Sequence, residues 1–471
     1  MTELTIPEVT TNFKHTKKIH DSKSDNLKNK NSVFRPIHYL GSKLRLLDEL
    51  DFFVNDTAPN SNTFCDLFAG SGTVSQHFIP SHNVISVDIQ EYSKVISSAI
   101  SAPSNSISYS ASDFVENCKK TKQYELLLIA SEELREFEDI AIQAAQNNEL
   151  NLSCDLLEDG CVEYFKLGES KPKNQNLFNF IEASVNKLNK LDLIDSKDSM
   201  VFRYFGGIYF SYHQAICIDS ILFEINRLPK QDKNTFLAAL LSTVSDIVNT
   251  VGKQFAQPIK PRKSDGTPKS TLKNQLKKDR YKDVYIEYEK WLNKYLCLPK
   301  AVNSHISIQD DFGDFLKSNK NKIDIFYADP PYTRDHYSRY YHILETICLR
   351  DNPKISKVKI NNVTSLSRGI YRENRHQSPF CIKSQAKGAF EVLFSNVQKH
   401  GAPLLLSYSP FEKESNNRPR VLGVEDIVAL AKNYFESVDV YSVGDFSHSK
   451  LNSTQNNYIT VSAAEVLIVC K

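Results

Sequence analysis

Residues 63–89 read TFCDLFAGSGTVSQHFIPSHNVISVDI, and this stretch decides the fold class. The apolar run TFCDLFAG ends in glycine, as a buried parallel strand does, and NVISVDI is a second run of the same kind. The intervening SGTVSQHFI is typical of the start of a helix. Strands that alternate with helices predict a parallel sheet with right-handed crossovers. We therefore expect an α/β fold in which helices flank a mostly parallel sheet.

The rest of the chain surrounds this unit unevenly. Strand patterns return after residue 300 at KIDIFYADPP, PLLLSYSP, VDVYSV and AEVLIVCK, whereas helical patterns such as TFLAALLSTVSDIVNTV dominate before it. These patterns predict that a large, mostly helical insert splits the α/β domain. The expected divisions are a polar, flexible arm at 1–32, the first part of the α/β domain at 33–115, the insert at 116–300 and the second part of the α/β domain at 301–471.

The composition excludes several classes of protein. The 471 residues include 58 Lys and Arg against 56 Asp and Glu, a formal charge of +2, so any basic surface must be local. The nine cysteines form no Cys-x-x-Cys pair, which argues against a zinc site or disulfide framework and fits a reducing cytoplasm. No apolar run approaches the roughly 20 residues that cross a bilayer, and the N-terminus lacks the apolar core of a signal peptide. We therefore expect a cytoplasmic protein with no membrane span and no metal site.

The loop DLFAGSGT at residues 66–73 ends a strand and opens a helix. Gly70 and Gly72 let the backbone approach a ligand and tolerate positive φ, and the helix N-terminus that follows offers free N–H groups. A cofactor that carries a carboxylate or a phosphate fits there. A Gly-x-Gly turn also occurs as a tight turn without a ligand.

Asp88 ends the strand NVISVDI. An acid at the tip of the second strand binds ribose hydroxyls in dinucleotide-binding folds. Because Asp is also a favoured helix N-cap, the residue alone leaves both readings open.

The most specific motif is Asp329-Pro330-Pro331-Tyr332, which follows the apolar run IDIFYA. The two prolines hold the backbone extended and remove two N–H donors, so that the Asp329 carboxylate and the next carbonyls are left as a group of acceptors. An –NH₂ group needs such acceptors for its two protons. Tyr332 offers a flat face on which a base can stack.

In this order, the motifs resemble those of the amino-methyltransferases of DNA in which the cofactor motif precedes the catalytic motif and a target-recognition insert separates them. The resemblance covers residues 33–114 and 301–410. It implies a methyltransferase-type sheet, S-adenosylmethionine as cofactor and a flipped-out adenine in double-stranded DNA as substrate. HYLGSKLRLL at residues 38–47 resembles the motif that helps to hold the methionine end of the cofactor.

The resemblance assigns Asp329, Pro330 and Tyr332 to catalysis. It assigns the following residues to cofactor binding: Tyr39, Gly41, Lys43, Asp66, Phe68, Gly70, Ser71, Gly72, Thr73, Asp88, Asp311, Phe312 and Asp329. The family also has an acidic cofactor contact shortly before the catalytic strand. Asp311 and Phe312 match it best, while Asp310 and the pair Asp113 and Phe114 compete.

Basic stretches are the candidates for DNA contact. Residues 253–282 contain ten Lys and Arg but only two acids, and residues 332–347 and 367–387 are also rich in Arg. Solvated loops and a solvated helix start are the competing interpretations. The predicted DNA-binding residues are Lys260, Arg262, Lys263, Arg334, His336, Tyr337, Arg339 and Arg372. The segment YFGGIYF at residues 204–210 matches no functional motif, and we expect it to pack on the core as a strand or turn.

The function predicted from this resemblance is site-specific methylation of adenine in DNA, in a restriction-modification or related defence system with a cognate restriction endonuclease as a possible partner. Amino-methylation of cytosine and methylation of adenine in RNA are the alternatives within the same chemistry. Asp at the first position of the catalytic motif is tied to adenine in the family, and Ser more often to cytosine. A DNA-binding specificity subunit without catalysis is the alternative from another class. The motifs determine neither the recognition sequence nor the oligomeric state.

Overall fold

A computed structural model describes most of the chain. The described residues are 14–15, 34–101, 110–169, 171–299, 301–334, 336–360, 362–409, 420–443 and 465–471. Of the stretch expected to be a flexible arm, Lys14–His15 form a short strand, and the remainder of residues 1–32 lies outside the described residues.

The described residues form ten strands. They are β1 (Lys14–His15), β2 (Thr63–Asp66), β3 (Asn83–Asp88), β4 (His305–Gln309), β5 (Ile325–Ala328), β6 (Lys357–Ile360), β7 (Val363–Leu366), β8 (Leu404–Tyr408), β9 (Val438–Val443) and β10 (Glu465–Cys470). Eight of them make one sheet in the order β1-β9-β10-β8-β5-β2-β3-β4, and β6 and β7 form a separate hairpin. Within the large sheet, β10 runs antiparallel to both neighbours and the other pairs are parallel. The expected α/β class with a mostly parallel sheet is confirmed.

Helices account for most of the remaining described structure. They are α1 (Leu47–Thr57), α2 (Thr73–Phe78), α3 (Glu91–Ile100), α4 (Ala111–Lys119), α5 (Lys122–Ala130), α6 (Glu132–Gln146), α7 (Asn151–Asp159), α8 (Val162–Lys166), α9 (Gln175–Lys190), α10 (Met200–Phe205), α11 (Tyr212–Arg227), α12 (Lys230–Ile247), α13 (Leu272–Asp279), α14 (Val284–Leu296), α15 (Phe312–Ser318), α16 (Tyr337–Tyr340), α17 (His342–Leu349), α18 (Ala386–His400) and α19 (Val424–Ala431). Short 3₁₀ turns lie at Lys43–Leu46, Lys197–Ser199, Val251–Lys253 and Pro379–Cys381. No helix among the described residues is long and apolar enough to cross a membrane.

Successive residues of the strands face two different cores, as the period of two in a strand requires. In β2, Phe64 belongs to the core beneath α1, α3 and the insert, while Cys65 belongs to the core beneath α15, α18 and α19. Tyr327 and Phe326 of β5 divide in the same way. Helices therefore cover both faces of the sheet.

The insert is helical, and its helices pack directly on the α/β core. Phe114 of α4 contacts Phe236 of α12 and Tyr288 of α14, with ring centroids 4.6 and 6.0 Å apart. All three belong to the hydrophobic cluster that contains α1 and α3. Since α4 spans position 116, the helical layer begins before the boundary drawn from sequence.

The segment YFGGIYF is buried, as expected; its first two residues end α10, and a turn follows them. Gly207 adopts a φ of +77° there, and Tyr209 donates to the carbonyls of Phe255 and Gly369 at 3.0 and 3.1 Å. Its role is to join the insert to the segment after β7.

Candidate active site

The carboxyl ends of β2, β3 and β5 meet at one edge of the sheet, because these strands are parallel neighbours. A cleft with an empty volume of about 1070 Å³ opens there. The residues that follow each strand line it, so the glycine loop, Asp88 and the Asp-Pro-Pro-Tyr motif share one site. Open parallel sheets bind their ligands at this edge.

The glycine loop has the backbone conformation that only glycine adopts without strain. Gly70 and Gly72 have φ values of +53° and +74°. A Cβ on Gly70 would lie 2.6 Å from the Tyr39 hydroxyl, so the absence of a side chain lets the loop pass close to that ring. Ser71 and Thr73 share a hydrogen bond of 2.9 Å between their hydroxyls. The loop leads directly into α2, whose N-terminus faces the cleft.

Asp66 lies at the base of the loop with 1% of its surface exposed. Its carboxylate accepts hydrogen bonds from Ser75 Oγ at 2.8 Å and from the Phe68 N–H at 3.4 Å. Burial raises the pKa of Asp66 to about 7. This residue therefore braces the loop from within.

Asp88 is tied to the glycine loop and does not cap α3. Its carboxylate accepts from the N–H groups of Gly70 at 2.8 Å and Gln90 at 2.9 Å. The N–H groups of Glu91 and Tyr92 at the start of α3 instead donate to Glu345, each at 3.1 Å. Burial raises the pKa of Asp88. The N-cap reading is therefore wrong, and Asp88 lines the cleft.

The structure also separates the acids that compete as the cofactor contact before the catalytic strand. Asp310, Asp311 and Phe312 all line the cleft. Asp311 caps α15 by accepting from the Gly313 N–H at 2.8 Å. Asp113 lies in α4, and Phe114 is buried in the core away from the cleft. Asp113 and Phe114 are therefore not part of the cleft in which we expect the cofactor contact.

An aromatic wall closes one side of the cleft. Phe380 packs against Phe68 and Phe312 with ring centroids 5.6 and 5.2 Å apart. The sequence interpretation gave residues 367–387 a DNA-facing role, but His376, Ser378 and Phe380 from this stretch line the cleft. The SPF tripeptide, an apolar break in a basic segment, was the signal for a buried turn.

The Asp-Pro-Pro-Tyr motif carries an ion pair that the sequence did not predict. Lys43 Nζ lies 3.0 Å from Asp329 Oδ1 and 2.7 Å from Glu465 Oε1. Lys43 lines the cleft, and its ammonium also pairs with these two carboxylates, so it supports Asp329; its contact with the cofactor stays a prediction. Glu465 was missed, although a lone acid that opens the apolar strand EVLIVC is a signal for a buried charge pair.

Burial and neighbouring charge set the protonation of this group. Burial raises the pKa of Asp329 to about 6, and Lys43 opposes that rise. For Lys43, burial alone would lower the pKa, but Asp329 and Glu465 raise it well above its usual range. The ammonium therefore stays charged between the two carboxylates.

Tyr332 and Tyr337 add aromatic surface beside Asp329. Tyr332 lies 5.5 Å from Tyr408, and the Arg420 guanidinium lies 4.7 Å from its ring centroid. Tyr337, which we predicted to contact DNA, lines the cleft, and its ring centroid lies 5.7 Å from that of Tyr39. Pro330 lines the cleft as well.

Two predicted DNA contacts are engaged within the protein, and this corrects the expectation for them. Arg262 pairs with Asp155 at 2.7 Å and Glu158 at 3.1 Å. Arg372 is 9% exposed and pairs with Asp351 at 2.6 Å.

The basic stretch at 253–282 is also less charged in space than along the chain. Lys253 and Lys282 pair with Asp279, and Arg280 pairs with Glu138. Asp279 is one of the two acids of the stretch itself, so only Glu138, and Asp155 and Glu158 at Arg262, bring acids from other segments to neutralise part of its excess charge.

The other predicted contacts have varied surroundings. Lys260, Lys263 and Arg334 are exposed, while His336 and Arg339 are half-buried at α16. Within the described residues, no group of three His, Cys, Asp or Glu side chains is arranged to hold a metal ion.

Comparison with known proteins agrees with this geometry. The family described as D12 class N6 adenine-specific DNA methyltransferase matches residues 39–157 and 269–399, together more than half of the chain. Modification methylase LlaI from Lactococcus lactis subsp. lactis is 24% identical over 84% of this chain and 49% of its own length. Type II methyltransferase M.FokI from Planomicrobium okeanokoites is 24% identical over 79% of this chain and 44% of its own.

Type II methyltransferase M.NlaIII from Neisseria lactamica is 23% identical over 77% of this chain and 80% of its own length. The chain spans about half the length of the first two relatives. The family match includes the YLGSK segment at residues 39–43, the glycine loop and the Asp-Pro-Pro-Tyr motif. The chain belongs to the D12 class N6 adenine-specific DNA methyltransferase family.

Proposed function

We propose that this chain transfers a methyl group from S-adenosylmethionine to the exocyclic amine of an adenine flipped out of double-stranded DNA, at a specific site. The observation that carries the proposal is that Asp329, the glycine loop and Asp88 share one cleft. A methyl donor and an amine acceptor would therefore be held side by side.

The residues of the cleft fit a nucleoside cofactor with a charged amino-acid end. The buried Oε1 of Gln90 in the cleft wall has no hydrogen-bond partner, so it can accept a hydrogen bond from a ligand. Asp88 would hold the ribose of the cofactor, and the start of α2 would face the cofactor's carboxylate. The wall of Phe68, Phe312 and Phe380 would cover the cofactor's own adenine ring. When bound, the cofactor supplies an electrophilic methyl group.

Asp329 and Pro330 would hold the target amine. The amine of adenine is a poor nucleophile because its lone pair is delocalised into the ring. Hydrogen bonds from the amine to the Asp329 carboxylate and the Pro330 carbonyl favour a pyramidal nitrogen and stabilise the positive charge that develops on it. Because Lys43 is 3.0 Å from Oδ1, the second carboxylate oxygen is left to accept the amine proton.

The charge of the group also favours the reaction. Two carboxylates surround one ammonium, so Asp329, Glu465 and Lys43 together carry a net negative charge beside the amine. Flipping the base costs a few kcal/mol, and stacking on an aromatic ring such as Tyr332 returns about 1–3 kcal/mol. The methylated amine is acidic enough to lose its proton afterwards, so Asp329 need not act as a strong base.

The biological setting is part of the proposal. Relatives named modification methylases suggest a restriction-modification or related defence system, in which a cognate restriction endonuclease would cut unmethylated DNA. A DNA substrate and nine unpaired cysteines favour a cytoplasmic location.

The test is a direct assay of the product. Purified protein is incubated with mixed-sequence duplex DNA and S-adenosylmethionine labelled in the methyl group, and the DNA is digested to nucleosides for chromatography. We expect labelled N6-methyl-2′-deoxyadenosine. Labelled N4-methyl-2′-deoxycytidine would replace the adenine assignment. In a parallel incubation with mixed-sequence RNA, label in the RNA together with none in the DNA would replace the DNA assignment.

Asp329→Asn supplies the catalytic control. It should abolish labelling while calorimetry finds cofactor affinity within a few-fold of the unchanged protein. Asp314→Asn, at an acid of α15 whose side chain is 70% exposed, should keep full activity. Substantial transfer by Asp329→Asn would remove Asp329 from its proposed role.

A further inference from the structure

Two arginines face one buried tyrosine beside the cleft. The guanidinium carbons of Arg339 and Arg375 lie 5.3 and 5.0 Å from the ring centroid of Tyr371. Arg339 Nε also donates to the Tyr371 hydroxyl at 3.0 Å, and that hydroxyl donates to the Ala256 carbonyl. Tyr371 is 8% exposed, so it is a rigid support for both cations.

Arg375 is the member of this cluster whose hydrogen-bonding capacity is unused. Its Nε and Nη1 are buried and have no hydrogen-bond partner. No ion pair joins it to an acid among the described residues, whereas Arg372, three positions earlier, pairs with Asp351 at 2.6 Å. Burial and the charge of Arg339 lower the pKa of Arg375. An anion bound beside Arg375 would accept hydrogen bonds from its unpartnered N–H groups and would offset the repulsion between the two guanidinium groups.

The cluster is connected to the proposed active site. Ser338 and His376 line the cleft, and each is the chain neighbour of one of the two arginines. Ser338 Oγ donates to the His376 carbonyl, which holds α16 and the segment at 375–376 together. Beneath the tyrosine, burial lowers the pKa of His342 to about 3, so this imidazole adds no charge at neutral pH.

We propose that Arg375 and Arg339, held by Tyr371, bind a backbone phosphate of the DNA substrate next to the flipped nucleotide. The inference rests on the proposed function, because it names where that substrate's phosphate would sit. A guanidinium matches the geometry of phosphate oxygens through its planar fork, and two of them share the charge of one phosphodiester. Such a contact positions the duplex and carries no base information.

The test is DNA binding by Arg375→Gln. Fluorescence anisotropy with a random-sequence duplex at several salt concentrations measures both affinity and its salt slope. We expect several-fold weaker binding at low salt, a slope smaller by about 0.9, and the same loss on every sequence. Arg375→Lys should retain most of the slope because it keeps the charge. Lys320→Ala, at an exposed lysine before the amino end of β5 and away from the cleft, should match the unchanged protein.

Two further measurements make each outcome decisive. Cofactor affinity by calorimetry should not change in Arg375→Gln; an equal loss there would assign Arg375 to the cofactor's carboxylate and overturn the proposal. If circular dichroism shows that Arg375→Gln is unfolded, Arg375→Met keeps the stem that packs on Tyr371 and removes the charge. An unchanged slope in a folded, uncharged variant overturns the phosphate site. Failure of the unchanged protein to bind any duplex would instead overturn the proposed function.

Discussion

Lys43 and Glu465 are 422 positions apart in the sequence, yet Lys43 Nζ lies 2.7 Å from Glu465 Oε1. The exposed fractions of the two side chains are 5% and 3%. The same ammonium lies 3.0 Å from Asp329 Oδ1, so the last strand of the sheet supports the Asp-Pro-Pro-Tyr motif through Lys43. Buried charges persist when they are paired in this way.

This arrangement predicts how methyl transfer depends on pH. In its proposed role, Asp329 accepts a hydrogen bond from the amine as an ionised carboxylate, and burial raises its pKa to about 6. Transfer should therefore be full above that pH and should be lost as the pH falls through about 6. Glu465→Gln removes a negative neighbour that helps to raise this pKa, so the acid limb should move to lower pH. Single-turnover rates between about pH 5 and pH 8 test both statements.

Glu436→Gln is the matched control for that series, because Glu436 is an exposed acid before β9. Its pH profile should superimpose on that of the unchanged protein. An acid limb that stays in place in Glu465→Gln would mean that Glu465 serves only the stability of the sheet.

Asp88→Ala should weaken cofactor binding by about 1–3 kcal/mol, the loss expected when charge-assisted hydrogen bonds are removed. The carboxylate also holds the Gly70 N–H at 2.8 Å, so its loss frees the loop. Calorimetry with S-adenosylmethionine is the measurement, with Asp56→Ala at the exposed end of α1 as control. Unchanged affinity would limit Asp88 to a structural role.

Gly70→Ala should damage the cofactor site more than an equivalent change elsewhere. At φ +53° an L residue is strained by about 1–2 kcal/mol. The added Cβ would also lie 2.6 Å from the Tyr39 hydroxyl. Gly168→Ala shares the positive φ, at +72°, but meets nothing within 4 Å, so it isolates the backbone cost.

Thermal unfolding and calorimetry separate the two terms. Both variants should lose stability, and only Gly70→Ala should bind the cofactor about tenfold or more weakly, a cost of about 1.4 kcal/mol or more. Equal cofactor affinities in the two variants would count against close passage of the loop along the ligand.

The exposed lysines at 260 and 263 should contribute to DNA binding differently from Arg262. Each lysine that neutralises one phosphate contributes about 0.9 to the slope of log affinity against log salt concentration. Replacing both Lys260 and Lys263 by Ala should therefore reduce this slope by up to about 1.8, with little change in sequence preference. Arg262→Ala should leave the slope unchanged and lower the free energy of unfolding by about 0.5–1 kcal/mol, because its partners are Asp155 and Glu158.

Filter binding and urea denaturation of the same two proteins test this prediction. If the double lysine variant keeps the slope of the unchanged protein, the DNA track lies elsewhere, with Arg334 and the Arg375 cluster as the remaining candidates.

The sequence by itself determined what depends on local order. The apolar runs of β2 and β3, with a helix between them, predicted the parallel sheet, since a strand that is buried on both faces carries consecutive apolar residues. Gly70 and Gly72 showed a loop that passes close to a ligand, and Asp329 with its prolines showed a group of acceptors. Each of these features is made by a few consecutive residues, so its chemistry can be read along the chain.

Only the tertiary structure decided which charges meet. Glu465 reaches Lys43 because β10 enters the sheet between β8 and β9, and no pattern near either residue encodes that distance. For the same reason, Arg262 and Arg372 have acidic partners within the protein, although their surroundings in sequence are basic. A charged side chain binds whichever partner the fold brings within about 4 Å, and the fold brings together residues from distant parts of the chain.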